Sequence, residues 1–141
     1  MKRFAIISFI FVIIICGISY MYLNYKNMYK NSKISNLKYE KHLNKDITGS
    51  ELVTIINMAV DNNEKNEVSK NKKGIYIEND TNSIKIEIKI TDNDNIYNME
   101  TIYNNGTQNF LQYYGEIKFK CVDIKYHTET NKVKYMLFEQ E

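Results

Sequence analysis

FAIISFIFVIIICGISYMYL, residues 4–23, contains no charge and no breaker of helix stronger than Gly17. Its 20 residues match the length at which an α-helix crosses a hydrocarbon core of about 30 Å, at about 1.5 Å per residue. Lys2 and Arg3 precede the run, and Tyr20, Tyr22 and Tyr25 cluster at its far end, where amphipathic rings favour the membrane interface. A lone apolar run of this length beside the N-terminus is expected to be an anchor and not a core helix. The competing reading is a cleavable signal peptide cut after Gly17-Ile18-Ser19. Retention is favoured because the run exceeds the usual apolar core of about 7–15 residues and continues past that point. Cys16 follows Ile15, where a lipoprotein signal needs a small residue, and Arg3 and Ser8 stand where a prepilin carries Gly and Glu.

Charge divides the rest of the chain in two. Residues 24–45 hold six lysines against Glu40, a net +5, whereas residues 46–141 hold eleven lysines against sixteen acids, a net −5. The expected organisation is therefore an anchor over residues 1–23, a basic helical stalk over 24–45 and a small acidic head over 46–141. No proline interrupts the stalk, and Tyr22, Tyr25, Met28, Tyr29 and Leu37 give it a loose apolar stripe, read as a solvated linker. Orientation is contested by the lysines. Lys2 and Arg3 favour a cytoplasmic N-terminus, while Lys26, Lys30, Lys33, Lys38 and Lys41 argue the reverse. The short charged N-terminus before a first apolar run favours an extracytoplasmic head.

The head reads as α+β, with about four antiparallel strands in two hairpins packed on helices. Thr48-Gly49-Ser50-Glu51 has the capping-box pattern, and Leu52, Ile55, Ile56 and Ala59 then recur on one helical face. Residues 74–79 and 83–90 read as the first hairpin. Within it Ile84, Ile86, Ile88 and Ile90 alternate with Lys85, Glu87 and Lys89, so one face is buried and one is wet. Two short helices come next, 99–103 closed by Gly106, and 108–114 capped by Thr107 and closed by Gly115. Residues 116–126 and 132–138 make the second hairpin. A phase change at Cys121-Val122 there implies a β-bulge.

Composition excludes more than it assigns. At 141 residues and 16.7 kDa the chain has room for one small domain beside the anchor. A net charge of +2 excludes a strongly basic nucleic-acid binder, and two cysteines and two histidines exclude a disulfide scaffold or zinc module. Asp92-Asn93-Asp94-Asn95 resembles the start of a calcium loop. However, Ile96, Tyr97 and Tyr103 occupy positions that need an oxygen ligand, a glycine and a bidentate glutamate. His127 sits in an expected turn beside Thr128 and Glu129 without a matched nucleophile, and Cys121 alternates with core positions. No catalytic or metal-ligating residues and no cofactor are expected, and the chain is read as non-enzymatic. The remaining concentration of chemistry is aromatic. Tyr97, Tyr103, Phe110, Tyr113 and Tyr114 cluster between the hairpins, and Tyr103, Tyr113 and Tyr114 are the candidate interaction surface.

The chain resembles short single-pass membrane-anchored proteins of low-GC Gram-positive, clostridial-type bacteria, loosely those associated with pili and secretion. The resemblance rests on the span and on ITGSELVTIIN, residues 47–57. It implies an envelope location and no catalytic residues. Two roles are thus expected. The first is an interaction or assembly module at the cell membrane, partnering envelope proteins or itself; the second is an extracytoplasmic binder of calcium or a cell-wall saccharide.

Overall fold

A computed structural model describes residues 2–91 and 95–141; Asp92, Asn93 and Asp94, and with them the calcium-like opening, lie outside the described residues. The apolar run begins one long helix, α1 (Lys2–Glu40), whose first part is exposed around its whole circumference. It is the one described helix long and apolar enough to cross a membrane. A short strand, β1 (Asp46–Thr48), leads into α2 (Gly49–Lys65). Next come β2 (Lys85–Lys89), β3 (Ile96–Asn98), α3 (Met99–Asn104), α4 (Thr107–Tyr114), β4 (Lys118–Tyr126) and β5 (Val133–Gln140).

Local signals in the sequence account for α2. The Thr48 hydroxyl accepts from the Glu51 amide at 3.2 Å while the Glu51 carboxylate accepts from the Thr48 amide at 2.9 Å, so both halves of the capping box form. Leu52, Ile55, Ile56 and Ala59 are all fully buried against the sheet. On the sheet side Ile84, Ile86, Ile88 and Ile90 are buried as the alternation requires, together with Phe119, Cys121, Met136 and Phe138. The pairing of β4 with β5 shifts register between Cys121 and Asp123, which places the bulge at Val122.

The described strands form a mixed five-stranded sheet in the order β1-β4-β5-β2-β3, which corrects both the expected strand number and the antiparallel-only pairing. Residues 74–79 make no strand beyond one isolated bridge, Lys70 to Tyr76. Side chains occupy their backbone instead. The Asn71 side chain accepts from Lys73 and Ile75, Glu100 accepts from the Tyr76 amide, and the Ser83 hydroxyl accepts from the Asn79 amide. With that partner lost, β2 pairs in parallel with β5, Lys85 beside Tyr135 through Lys89 beside Glu139, and antiparallel with the three-residue β3. Two expected caps also differ. Gly106, at φ +86°, and not Thr107 is the N-cap of α4, with no side-chain bond, and Asn105 closes α3. Gly115 closes α4 as expected, in a right-handed conformation at φ −55°.

The reason for glycine at 49 is space. Its amide donates to the Ile117 carbonyl at 2.9 Å, and a Cβ there would lie 1.9 Å from the Tyr114 carbonyl oxygen. The start of α2 is thereby pressed onto the end of α4.

The stem differs most from expectation. The apolar stripe of Tyr22, Tyr25, Tyr29 and Leu37 stays exposed, whereas Ser32, Asn36 and Tyr39, one face at i, i+4 and i+7, are buried on the head. The Asn36 amide donates to the Asn131 carbonyl at 2.8 Å and its oxygen accepts from the Val133 amide at 2.9 Å. The Ser32 hydroxyl reaches the Thr130 carbonyl at 2.5 Å, and the Tyr126 hydroxyl donates to Glu40 at 2.8 Å. A solvated linker therefore does not describe residues 32–40.

This packing can be tested at two positions. Gly49→Ala should cost at least the upper end of the about 1–3 kcal/mol typical of overpacking, because the atom met is backbone. Gly17→Ala meets nothing within 4 Å and should leave the melting temperature of the detergent-solubilised chain unchanged. Asn36→Ala strips its partner from the buried Val133 amide, at about 1–3 kcal/mol, and costs less at the exposed Asn131 carbonyl, which water can reach. Thermal melts should show the loss, and faster amide exchange at Val133 should locate it.

Candidate functional site

The aromatic cluster folds as two short helices meeting at Asn105-Gly106. Gly106 turns the chain there in a left-handed conformation that a side chain would strain. Met99, Ile102 and Phe110 point inward and are buried. Phe110 stacks on Tyr114 with centroids 5.1 Å apart and meets Phe119 of the sheet at 6.0 Å, which ties α4 to the core.

Between α3, α4 and the end of β2 lies a cleft of about 220 Å³, lined by Ile90, Tyr97, Ile102, Phe110, Tyr113 and Tyr114, with Thr101, Asn105 and Asn109 among its polar lining. The Asn109 amide donates to the Asn105 carbonyl at 2.8 Å, which holds part of that polar lining in place. Of the three candidate tyrosines, Tyr113 is 72% exposed at the cleft and Tyr114 is half-buried within it. Tyr103 is exposed on α3 but does not line the cleft. Tyr97, from β3, completes the aromatic wall. Its contribution depends on a strand too short for sequence periodicity to reveal.

Position is set by register. β2 and β5 run parallel, so Ile90 lies beside the Glu139–Gln140 end of the sheet, while Val133 lies at the end clasped by Asn36. Strand rise makes that separation about 20 Å. The successive links from Ser32 to Thr130, Asn36 to Val133 and Leu43 to Cys121 show α1 and its continuation advancing the same way. The cleft is therefore displayed at the end of the head away from the apolar run.

The other reactive groups are occupied structurally. His127 is buried and not at an open turn tip: its Nε2 donates to the Ser83 carbonyl at 2.7 Å, and Nδ1 has no partner among the described residues. The Ser83 hydroxyl lies against the Asn79 backbone, so the two do not form a nucleophile–base pair. Burial pushes the Cys121 thiol up to about 11, outweighing the opposing effect of the Asp123 backbone, and so keeps it protonated at neutral pH. Beside the loop after α2, the Lys70 ammonium and the Tyr76 hydroxyl both donate to Glu64, at 2.7 and 2.5 Å. Burial first, and then this hydrogen bond, raises Tyr76 to about 12. Among the described residues no group of three or more His, Cys, Asp or Glu side chains is placed to hold a metal.

Comparison with family models, with curated proteins and with solved structures found no match to this chain.

Proposed function

We propose that the chain is a non-enzymatic interaction or assembly module of the cell envelope, anchored by residues 4–23 and carrying its head outside the cytoplasm. The observation that carries this reading is the tyrosine-lined cleft. It combines apolar walls, one ring left 72% exposed at Tyr113, and a polar lining, at the end of the head farthest from the anchor. Tyrosine suits such a surface because it offers large apolar area with a polar tip and loses little rotamer entropy. The bare circumference of residues 4–23 supports the anchor, since a helix that packs on nothing and carries no charge finds its solvent in lipid.

A second reading is a binder of a small ligand. The amides of Asn105 and Asn109 beside Tyr97 and Tyr113 favour a cell-wall saccharide, whose hydroxyls pair with amides while its ring faces stack on aromatics.

The association test uses the full chain in mild detergent and in native membranes. Tyr113→Ser should leave the thermal melt unchanged and weaken association by about 2 kcal/mol or more, roughly thirtyfold, in ultracentrifugation or crosslinking. Unchanged association with itself and with envelope proteins would remove the first reading. Saturation transfer from the protein to soluble cell-wall fragments, abolished by Tyr113→Ser, would establish the second. Topology has its own test. Ser69 is exposed, and in a Cys16→Ala background the one other cysteine, Cys121, is buried with a raised thiol pKa, so background labelling is low. Ser69→Cys should react with an impermeant maleimide on intact cells; reaction only after lysis would put the head in the cytoplasm.

A further inference from the structure

The docked stem fixes how high the head stands above the apolar run. Two clefts flank the turn between β4 and β5. One, of about 290 Å³, lies between Tyr25, Met28 and Tyr29 of α1 and residues 128–131. The other, of about 200 Å³, places Lys33 and Glu40 opposite Asn131. Helix rise of about 1.5 Å per residue puts Tyr25 about 3 Å and Tyr29 about 9 Å beyond Leu23. The polar headgroup layer on each side of a bilayer is about 5–8 Å deep. The first cleft thus opens at headgroup depth. The head cannot swing clear of it without breaking the links from Ser32, Asn36 and Glu40, which span two turns of helix.

The charge on this part of the stem is equally specific. Eight of the head's eleven lysines are within ion-pair distance of a carboxylate among the described residues, namely Lys65, Lys70, Lys85, Lys89, Lys118, Lys120, Lys125 and Lys134, while Lys72, Lys73 and Lys132 are not. Among the described residues, none of Lys26, Lys30 and Lys33 is so paired, although Glu129 and Glu40 line the neighbouring clefts. Glu40 already accepts from the Tyr126 hydroxyl. Lys26, Lys30 and Lys33 rise about 5, 11 and 15 Å beyond Leu23. Helical side chains lean toward the N-terminus, so these flexible side chains carry unpaired positive charge back toward the phosphate layer beside amphipathic rings.

We propose that the membrane-facing end of the head is an anionic-phospholipid headgroup site. The β4–β5 turn lies against the headgroup layer, Tyr25 sits near the acyl boundary and Tyr29 at the layer's outer edge, and Lys26, Lys30 and Lys33 lean back to the lipid phosphates. This rests on the anchor reading and is independent of the tyrosine cleft at the other end.

The test places the full chain in nanodiscs of phosphatidylcholine, with or without phosphatidylglycerol. An environment-sensitive fluorophore is attached at Thr128→Cys or, as a solvent reference, at Lys72→Cys, both in a Cys16→Ala background. Acrylamide should quench the label at residue 128 severalfold less than the label at residue 72, and phosphatidylglycerol should deepen the protection. The variant carrying Lys26→Gln, Lys30→Gln and Lys33→Gln should lose the preference for phosphatidylglycerol, which each lysine near an anionic surface raises about fivefold. Equal quenching at the two positions in chain that co-migrates with the nanodisc would overturn the proposal. So would protection at residue 128 that ignores both lipid charge and the three lysines. Chain that fails to co-migrate would instead refute the anchor, and with it the premise.

Discussion

The side chain of Asn36 offers a donor and an acceptor in one plane, and the fold uses both on the backbone of residues 131–133, the bond to the Val133 amide being buried. A carboxamide is a copy of the peptide group, so Asn36 acts as an extra half-rung where β5 begins and would otherwise leave a buried amide unpaired. The cost of breaking it is therefore the full penalty of a desolvated, unmatched amide, which exceeds the modest gain usual for one hydrogen bond. From this point the rest of the stem is constrained. Ser32 is brought to Thr130, Tyr39 is drawn into the core, and Glu40 reaches Tyr126. A long helix that would otherwise be a tether becomes part of the head.

The same device recurs along the chain, and it explains the structure of the stretch between α2 and β2. Asn63 is fully buried and clasps residue 84 from both sides, donating to the Ile84 carbonyl and accepting from the Ile84 amide, each at 2.8 Å. The Asn79 side chain accepts from the amides of Thr81, Asn82 and Ser83 in succession. Such side-chain bonds compete directly with strand ladders. A segment whose amides are met locally has little reason to pair with a neighbouring strand. An asparagine-rich composition thus acquires structural meaning: it substitutes side-chain amides for missing secondary structure.

Range along the chain divides the features that the sequence reveals from those it hides. The isoleucine alternation at 84–90, the α2 face, the capping box and the bulge beside Cys121 rest on residues a few positions apart. Their periodicity is legible because one local pattern decides each. The parallel pairing of β2 with β5 joins residues about fifty positions apart, and three-residue strands such as β1 and β3 are too short to show any alternation. The docking face of the stem is hidden for a different reason. Its spacing is helical, but Ser32 and Asn36 are polar, and the apolar stripe points instead to Tyr22, Tyr25 and Leu37, which stay exposed. At the candidate site the density of tyrosines is legible, but not their directions. Tyr113 and Tyr114 face one cleft and Tyr103 does not, and Tyr97 joins them from another element.

The two ends of the head carry different chemistry because the stem is rigid and the sheet register is fixed. At one end, cationic and amphipathic side chains lie where the apolar helix emerges; at the other, about 20 Å along β5 by strand rise, lies the aromatic cleft. A flexible linker would leave each surface free to meet membrane or partner at random. Under the Asn36 clasp, the lysine-bearing stem and the aromatic cleft face opposite ways, so the contacts proposed for each do not exclude one another. A surface held at constant height above a bilayer meets partners in the same membrane at an effective concentration set by geometry. In the proposed assembly role, that lets a modest cleft, with one well-exposed tyrosine at its edge, suffice without the large apolar area that association from solution demands.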